Sequence, residues 1–208
     1  MSNVSPSSRP GASLVALPGP KRPAATFPMA ATSFIGRETD VEEVMALLDH
    51  AETRLLTLTG PGGVGKTRLA LEVARAIEPD FAHGSAYVRL AAIRDTSLVL
   101  PAVARAVGVQ EHGGSTLLDQ VLGQLHDHHM LLVLDNFEHL LTESPLWLAE
   151  LIGTCPGIAV LVTSRTNLNI TGEFRFVVPP LRVPKGDSDV DGSESGAVTL
   201  FVQRARAA

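Results

Sequence analysis

A three-layer α/β/α fold built on a mainly parallel five-stranded sheet is what the 208-residue sequence predicts. Three observations lead there. Apolar runs of strand length alternate with helical stretches and few hairpin signals interrupt them, which argues for parallel strands joined by right-handed crossovers. One run opens into a glycine-rich turn followed by a helix, Gly60-Pro61-Gly62-Gly63-Val64-Gly65-Lys66-Thr67. Another, Met130-Leu131-Leu132-Val133-Leu134-Asp135, is apolar throughout, as a central strand covered on both faces must be, and ends in a carboxylate.

Taken in order, residues 1–31 are rich in Pro, Ser, Ala and Gly without an apolar period and read as a disordered leader or linker. The folded core is expected over residues 32–182. It opens near Ser33-Phe34-Ile35-Gly36-Arg37-Glu38, and a helix follows whose apolar stripe is Val41, Val44, Leu47 and Leu48, with Glu42, Glu43 and Asp49 opposite. Leu55-Leu56-Thr57-Leu58-Thr59 is a buried strand, and Arg68 to Ile77 is a helix. A second strand is expected at Ser85–Leu90, a helix from about Ser97 to Val107 ending at Gly108, and a further helix capped by Ser115 and running through Leu117, Leu118, Val121, Leu122 and Leu125. After the Asp135 strand come a helix around Pro145 to Ile152, the apolar strand Ile158–Ser164, and a fifth strand, Phe174–Val178, ended by Pro179-Pro180-Leu181. Residues 183–208 read as an acidic loop, Asp187 to Gly196, and the start of a helix from Thr199 to Arg206.

Composition sets limits on partners. The chain is 45% hydrophobic but only 4% aromatic, so its core is built from Leu, Val, Ile and Ala. A net charge of −5 gives no general nucleic-acid surface. Cys155 is the single cysteine, which excludes an internal disulfide and suits a reducing, cytoplasmic setting. No apolar run has the length to span a membrane. The short patch Ala12–Leu17 runs into Pro18, Pro20, Lys21 and Arg22, which argues against a secretory signal.

The chemistry sits on three strand ends. The glycine turn fits G-x-x-x-x-G-K-[ST] at every fixed position and has the required strand before it and helix after it, which identifies a P-loop NTPase. Without Cβ atoms the loop can turn tightly and aim its N–H groups at phosphates, and the helix start adds positive potential. Gly60, Pro61, Gly62, Gly63, Val64, Gly65, Lys66, Thr67 and Arg68 form the candidate nucleotide-binding set. Lys66 can reach the β- and γ-phosphates and the Thr67 hydroxyl can ligate Mg²⁺. Asp135, at the carboxyl end of its strand, is the second Mg²⁺ candidate, in a Walker B pattern. Arg165 follows the Ile158–Ser164 strand and can point at the γ-phosphate. Plainer readings exist for both, Asp135 as an N-cap and Arg165 as a surface arginine; the phosphate loop upstream favours the site.

These blocks together, Ser33–Glu38, Leu56–Thr67, Leu132-Val133-Leu134-Asp135-Asn136-Phe137-Glu138-His139-Leu140 and Leu161-Val162-Thr163-Ser164-Arg165, resemble the nucleotide-binding core of STAND signalling ATPases, the class that includes NB-ARC domains. The resemblance is nearest to bacterial regulators that carry such a core beside LuxR-type or SARP-like DNA-binding domains, and it runs from about residue 32 to the C-terminus. It implies that Ile35, Gly36 and Arg37 lie at the adenine and ribose, that the Arg165 strand lies between the phosphate-loop and Asp135 strands, and that ADP and ATP states switch the protein between closed and assembled forms. The helical lid, winged helix and sensor repeats of such proteins would lie beyond Ala208. One departure bears on rate. Where many relatives carry a second acid after the Walker B aspartate, this chain has Asn136, and an amide takes no proton. Glu138 can substitute if the chain turns it inward.

Lesser signals are read plainly. His126, His128 and His129 are expected on an exposed loop rather than at a metal, His139 on a helix surface, Cys155 and Trp147 in packing. The function expected is an ATP/ADP-binding regulatory switch with slow Mg²⁺-dependent hydrolysis. A working P-loop ATPase or kinase, and a truncated remnant that binds nucleotide weakly, stand as alternatives; a kinase lid and acceptor site are not found in the sequence.

Overall fold

The computed structural model describes residues 27–28, 34–140, 146–181 and 205. Its strands are β1 (Leu55–Thr59), β2 (Ser85–Arg89), β3 (Met130–Asp135), β4 (Ile158–Ser164) and β5 (Glu173–Val177). Its α-helices are α1 (Glu38–Asp49), α2 (Lys66–Ile77), α3 (Val99–Ala106), α4 (Leu117–Leu125) and α5 (Leu146–Thr154). The sheet order is β2-β3-β4-β1-β5 and every pairing is parallel. β4 thus lies between β1 and β3, the order that the resemblance implies.

Side chains alternate along the strands and divide the interior into two layers. Leu55, Leu132, Leu134, Val160 and Val162 face α3, α4 and α5. Leu56, Leu58, Leu131, Val133 and Leu161 face α1 and α2. All residues of β1 and β3 are buried; β3 is apolar up to Asp135, and β1 is leucine interrupted by the buried Thr57 and Thr59. β5 is an edge strand, and its Val177 is 72% exposed.

Parallel strands all point one way, so Thr59, Asp135 and Ser164 end at the same edge of the sheet. At the opposite edge the chain is stitched by close backbone contacts. A Cβ on Gly157 would collide with the His128 carbonyl, and Gly157 in turn accepts from the Met130 N–H, fixing the start of β3 beside β4. Arg54, just ahead of β1, donates to the carbonyls of Ile152, Cys155 and Ile158, tying the end of α5 to the start of β4.

Three expectations need correction. The cap of α4 is Thr116, not Ser115: the Thr116 hydroxyl accepts from the Asp119 N–H while the Asp119 carboxylate accepts from the Thr116 N–H, a reciprocal capping box. The stretch from Ser97 begins as a short 3₁₀ turn, Thr96–Leu98, before α3, with the Asp95 side chain accepting from the Ser97 N–H. Within the expected leader, Phe27 is not loose: it is 9% exposed and packs in the layer of α1 and α2. Phe27 and Pro28 apart, residues 1–31 lie outside the described residues, as do Ser33, Pro145, the acidic loop and, except for Ala205, the helix from Thr199.

Candidate nucleotide-binding site

Gly65 sits between turn and helix with φ +102°, in the left-handed region, and a Cβ there would stand 3.7 Å from the Arg37 guanidinium. Glycine is therefore favoured by the backbone conformation, while the space would admit a Cβ in ordinary contact with Arg37. The helix begins at once, with the Leu69 N–H donating to the Gly65 carbonyl. The first N–H groups of α2, which have no partner within the helix, point back toward the loop.

In front of the loop opens a cavity of about 430 Å³. Gly62, Gly63, Gly65, Lys66, Thr67 and Arg68 line it from one side. Asn136, Glu138, Thr163 and Arg165 line it from the strand ends. The fold has brought the phosphate loop, the β3 end and the β4 end to one place, as the sequence expectation requires. Gly60, Pro61 and Val64 form the turn behind this wall. Among the described residues, Ile35, Gly36 and Arg37 do not line the cavity. Arg37 comes to the loop from behind: it is 6% exposed, and its guanidinium donates to the Val64 carbonyl at 2.7 Å, the Pro179 carbonyl at 2.8 Å and Asp40 Oδ2 at 2.6 Å.

Asp135 is the centre of the polar network. Its Oδ1 accepts from the Thr67 hydroxyl at 2.6 Å and from the Thr163 hydroxyl at 2.6 Å, and its Oδ2 from the Tyr87 hydroxyl at 3.0 Å. Burial, and then the Asp135 charge, push the Tyr87 phenol up from its ordinary value. Thr163 Oγ1 also accepts from the Asn136 N–H at 2.8 Å. That bond holds Asn136 in the left-handed region, φ +68°, which asparagine tolerates better than most residues. The structure thus joins the two Mg²⁺ candidates, Thr67 and Asp135, and adds Tyr87 and Thr163, which sequence reasoning missed. Thr163 left a faint signal, a polar residue ending an apolar strand; Tyr87 left none.

Lys66 donates to the carbonyls of Gly60 at 2.8 Å and Pro61 at 3.0 Å. Burial draws its ammonium below the ordinary lysine value, against which Glu138 and Asp135 pull it up. Glu138 does turn inward. Its Oε1 accepts from Arg165 Nε at 3.0 Å, and its Oε2 is buried with no partner. Arg165 stands over the loop, where a Cβ on Gly62 would lie 3.7 Å from its guanidinium.

Of the three histidines, His126 and His129 are exposed and His128 is half-buried. The His129 ring is stacked on Phe81 and the His83 and His128 rings meet edge to face; among the described residues no group of His, Cys, Asp or Glu is placed to hold a metal ion. Cys155 is buried and burial pushes its thiol up. His139's side chain lies outside what is described.

Hydroxyl and carboxylate oxygens at 2.6 Å, beside a glycine loop and an ammonium, form a donor set that fits a Mg²⁺-nucleotide. No helix among the described residues is long and apolar enough to cross a membrane.

Comparison with known proteins agrees with this geometry. Residues 49–170 match a family model described as an AAA domain. An uncharacterised protein of Mycobacterium tuberculosis is 36% identical over 175 residues, 84% of this chain and 42% of that protein. A putative HTH-type transcriptional regulator of the same organism is 39% identical over 155 residues, 74% of this chain and 16% of the regulator. The chain therefore spans less than half the length of these relatives. Among solved structures, Cdc6p from Pyrobaculum aerophilum superposes with a TM-score of 0.52 at 16% identity, over 72% of this chain and 48% of that one, a likeness of fold alone.

Proposed function

The chain belongs to the AAA-domain family of P-loop ATPases, and from that premise we propose that it is the ATP/ADP-binding core of a regulatory switch, of the STAND and NB-ARC kind, within a transcriptional regulator. The observation that carries the reading is the contact of Thr67 with Asp135 at the head of the phosphate loop. The likeness to an HTH-type regulator supports the regulatory part. A cytoplasmic location belongs to the same reading, as do helical-lid, winged-helix and sensor segments in the longer protein and self-assembly in the ATP state. The greater length of the relatives supports the further segments.

In this reading the loop N–H groups and Lys66 bind the phosphates, and Thr67 and Asp135 hold Mg²⁺. Bound Mg²⁺ supplies positive charge at the β- and γ-phosphate oxygens. Arg165, exposed over the loop, senses the γ-phosphate. Glu138, with one carboxylate oxygen buried and unpartnered, is the group that orients or deprotonates water, since Asn136 takes no proton. Arg37 supports the loop from behind, and a contact of Ile35, Gly36 and Arg37 with adenine and ribose stays part of the proposal.

The test is direct. The purified protein is denatured, the released small molecules are separated by chromatography, and the refilled protein is titrated with ATP and ADP by calorimetry in the presence of Mg²⁺. Adenine nucleotide at near one per chain, or micromolar binding, is expected. No release and no heat with either nucleotide would overturn the reading.

A further inference from the structure

Two features near the cavity are left unused by the nucleotide reading. One is the hydroxyl of Tyr87, the chain's only tyrosine, which reaches Asp135 from a neighbouring strand. The other is Phe27-Pro28, ahead of α1, of which Pro28 lines the cavity itself.

Tyr87 sits in mid-strand, opposite Val133, with Arg89 opposite Asp135. The phenol thus leans along the strand toward the carboxylate. Of the three hydroxyls on Asp135, it alone donates to Oδ2. Both threonines act on Oδ1, whereas Tyr87 bonds the other oxygen and so bears on the rotation of the carboxylate plane. A carboxylate that must present one oxygen to a metal is held by what bonds the other.

The ring of Tyr87 is held in turn by Phe27, whose ring meets it edge on, with centroids 6.3 Å apart and planes at 61°. Phe27 is buried. The Arg75 guanidinium lies 6.0 Å from its ring centroid and donates to the Pro28 carbonyl and to Glu72 Oε1. The same face of α2, one heptad earlier, places Arg68 5.9 Å from the Phe34 ring. Phe27 with Arg75 and Phe34 with Arg68 place the two rings in reverse order along α2. Both phenylalanines are therefore registered on the helix that carries Lys66 and Thr67.

We propose that Tyr87 is a positioning residue for Asp135, and that Phe27, by seating the Tyr87 ring, is itself part of the Mg²⁺-nucleotide site. The proposal rests on the nucleotide reading above. It assigns to these residues no contact with nucleotide; both act through Asp135.

The test uses the full chain and four variants, Tyr87→Phe, Phe27→Ala, Phe27→Leu and the Tyr87→Phe/Phe27→Ala pair. ATP affinity is measured by calorimetry with Mg²⁺ and again with EDTA, and each variant is melted to verify folding. Tyr87→Phe removes one hydroxyl and keeps the ring. It is expected to weaken MgATP about tenfold, in line with losses at groups that orient metal ligands, with affinity in EDTA unchanged. Phe27→Ala should weaken MgATP about threefold in the same selective way, and Phe27→Leu, which keeps the bulk, should restore it. In the Tyr87→Phe background Phe27→Ala should add nothing, because the hydroxyl through which it acts is gone. Loss of affinity equal with and without Mg²⁺, additive effects of the two changes, or a Tyr87→Phe protein that binds MgATP like the wild type would overturn the proposal while leaving the nucleotide reading intact. A wild-type chain that binds no ATP would overturn both.

Discussion

Arg165 Nε and Glu138 Oε1 meet at 3.0 Å across the phosphate cavity, one residue just past β4, the other just past β3. The arginine side chain is 64% exposed and the glutamate 15%. An ion pair so open to water contributes about 0–1 kcal/mol to stability, so the pair has little structural reason to be there. Arg165→Ala is expected to melt within a degree or two of the wild type. It should bind ATP roughly tenfold more weakly, a loss near 1.4 kcal/mol, with ADP affinity unchanged. Calorimetry with both nucleotides decides it; equal losses would remove Arg165 from the γ-phosphate.

The Lys66 ammonium donates to two carbonyls of its own loop, outside the apolar core. Lys66→Ala should therefore remain folded by circular dichroism and lose most nucleotide binding, because no other group on the loop brings a full charge to the phosphates. A folded variant with unchanged ATP affinity would contradict the site.

Asp135→Asn exchanges a charged oxygen ligand for a neutral one of the same shape. Hard divalent cations discriminate strongly against that change. ATP affinity should fall in Mg²⁺ and hold in EDTA. Equal losses in the two titrations would show that Asp135 serves the fold of the loop and not the metal.

Turnover should be slow, below about 1 s⁻¹ and so under the range of enzymes selected for flux, because Asn136 stands where a base is expected. Asn136→Asp should raise it. Asn136→Glu should raise it less: the residue is held at φ +68°, where asparagine and aspartate are the tolerated side chains and longer ones strain the backbone. Phosphate release at saturating MgATP is the measurement, and wild-type turnover well above that limit would favour a working ATPase.

Arg54 offers a test away from the site. Its guanidinium satisfies three carbonyls, of which Ile152 lies in the last turn of α5 and has no partner within the helix. Arg54→Ala should destabilise by about 2 kcal/mol, lowering the melting midpoint by roughly 4–8 °C. Arg54→Lys should not rescue it, since an ammonium cannot fork among three acceptors. A wild-type melting curve for Arg54→Ala would show that water replaces the guanidinium without loss.

Strands β1, β3 and β4 were legible to the residue because burial on both faces leaves no charged side chain within them before the Asp135 terminus of β3, and only short, β-compatible hydroxyls in β1 and β4. The phosphate loop was legible because its chemistry is local, eight consecutive residues with their own strand and helix. What failed was local ambiguity and long reach. Ser115 and Thr116 can both cap a helix, and only the acid three residues on, Asp119, selects Thr116. Phe27 was hidden by its setting of Pro and Ala. Tyr87 meets Asp135 across 48 residues through a strand register that a single sequence does not state. Arg37 carries the same lesson in reverse: its motif led toward the nucleotide, while its donors hold Val64 and Pro179.

The sheet order also governs how the protein is made. β1, which feeds the phosphate loop, pairs only with β4 and β5, and both are synthesised long after it. A nascent chain that has left the ribosome as far as β3 can pair β2 with β3, yet it still carries Leu55, Leu56 and Leu58 without a neighbour on either side. The Arg37 clamp closes later still, once Pro179 has emerged. The strand ahead of the glycine loop is thus translated before both of the strands that enclose it, and during that interval its apolar side chains are exposed to aggregation or chaperone capture.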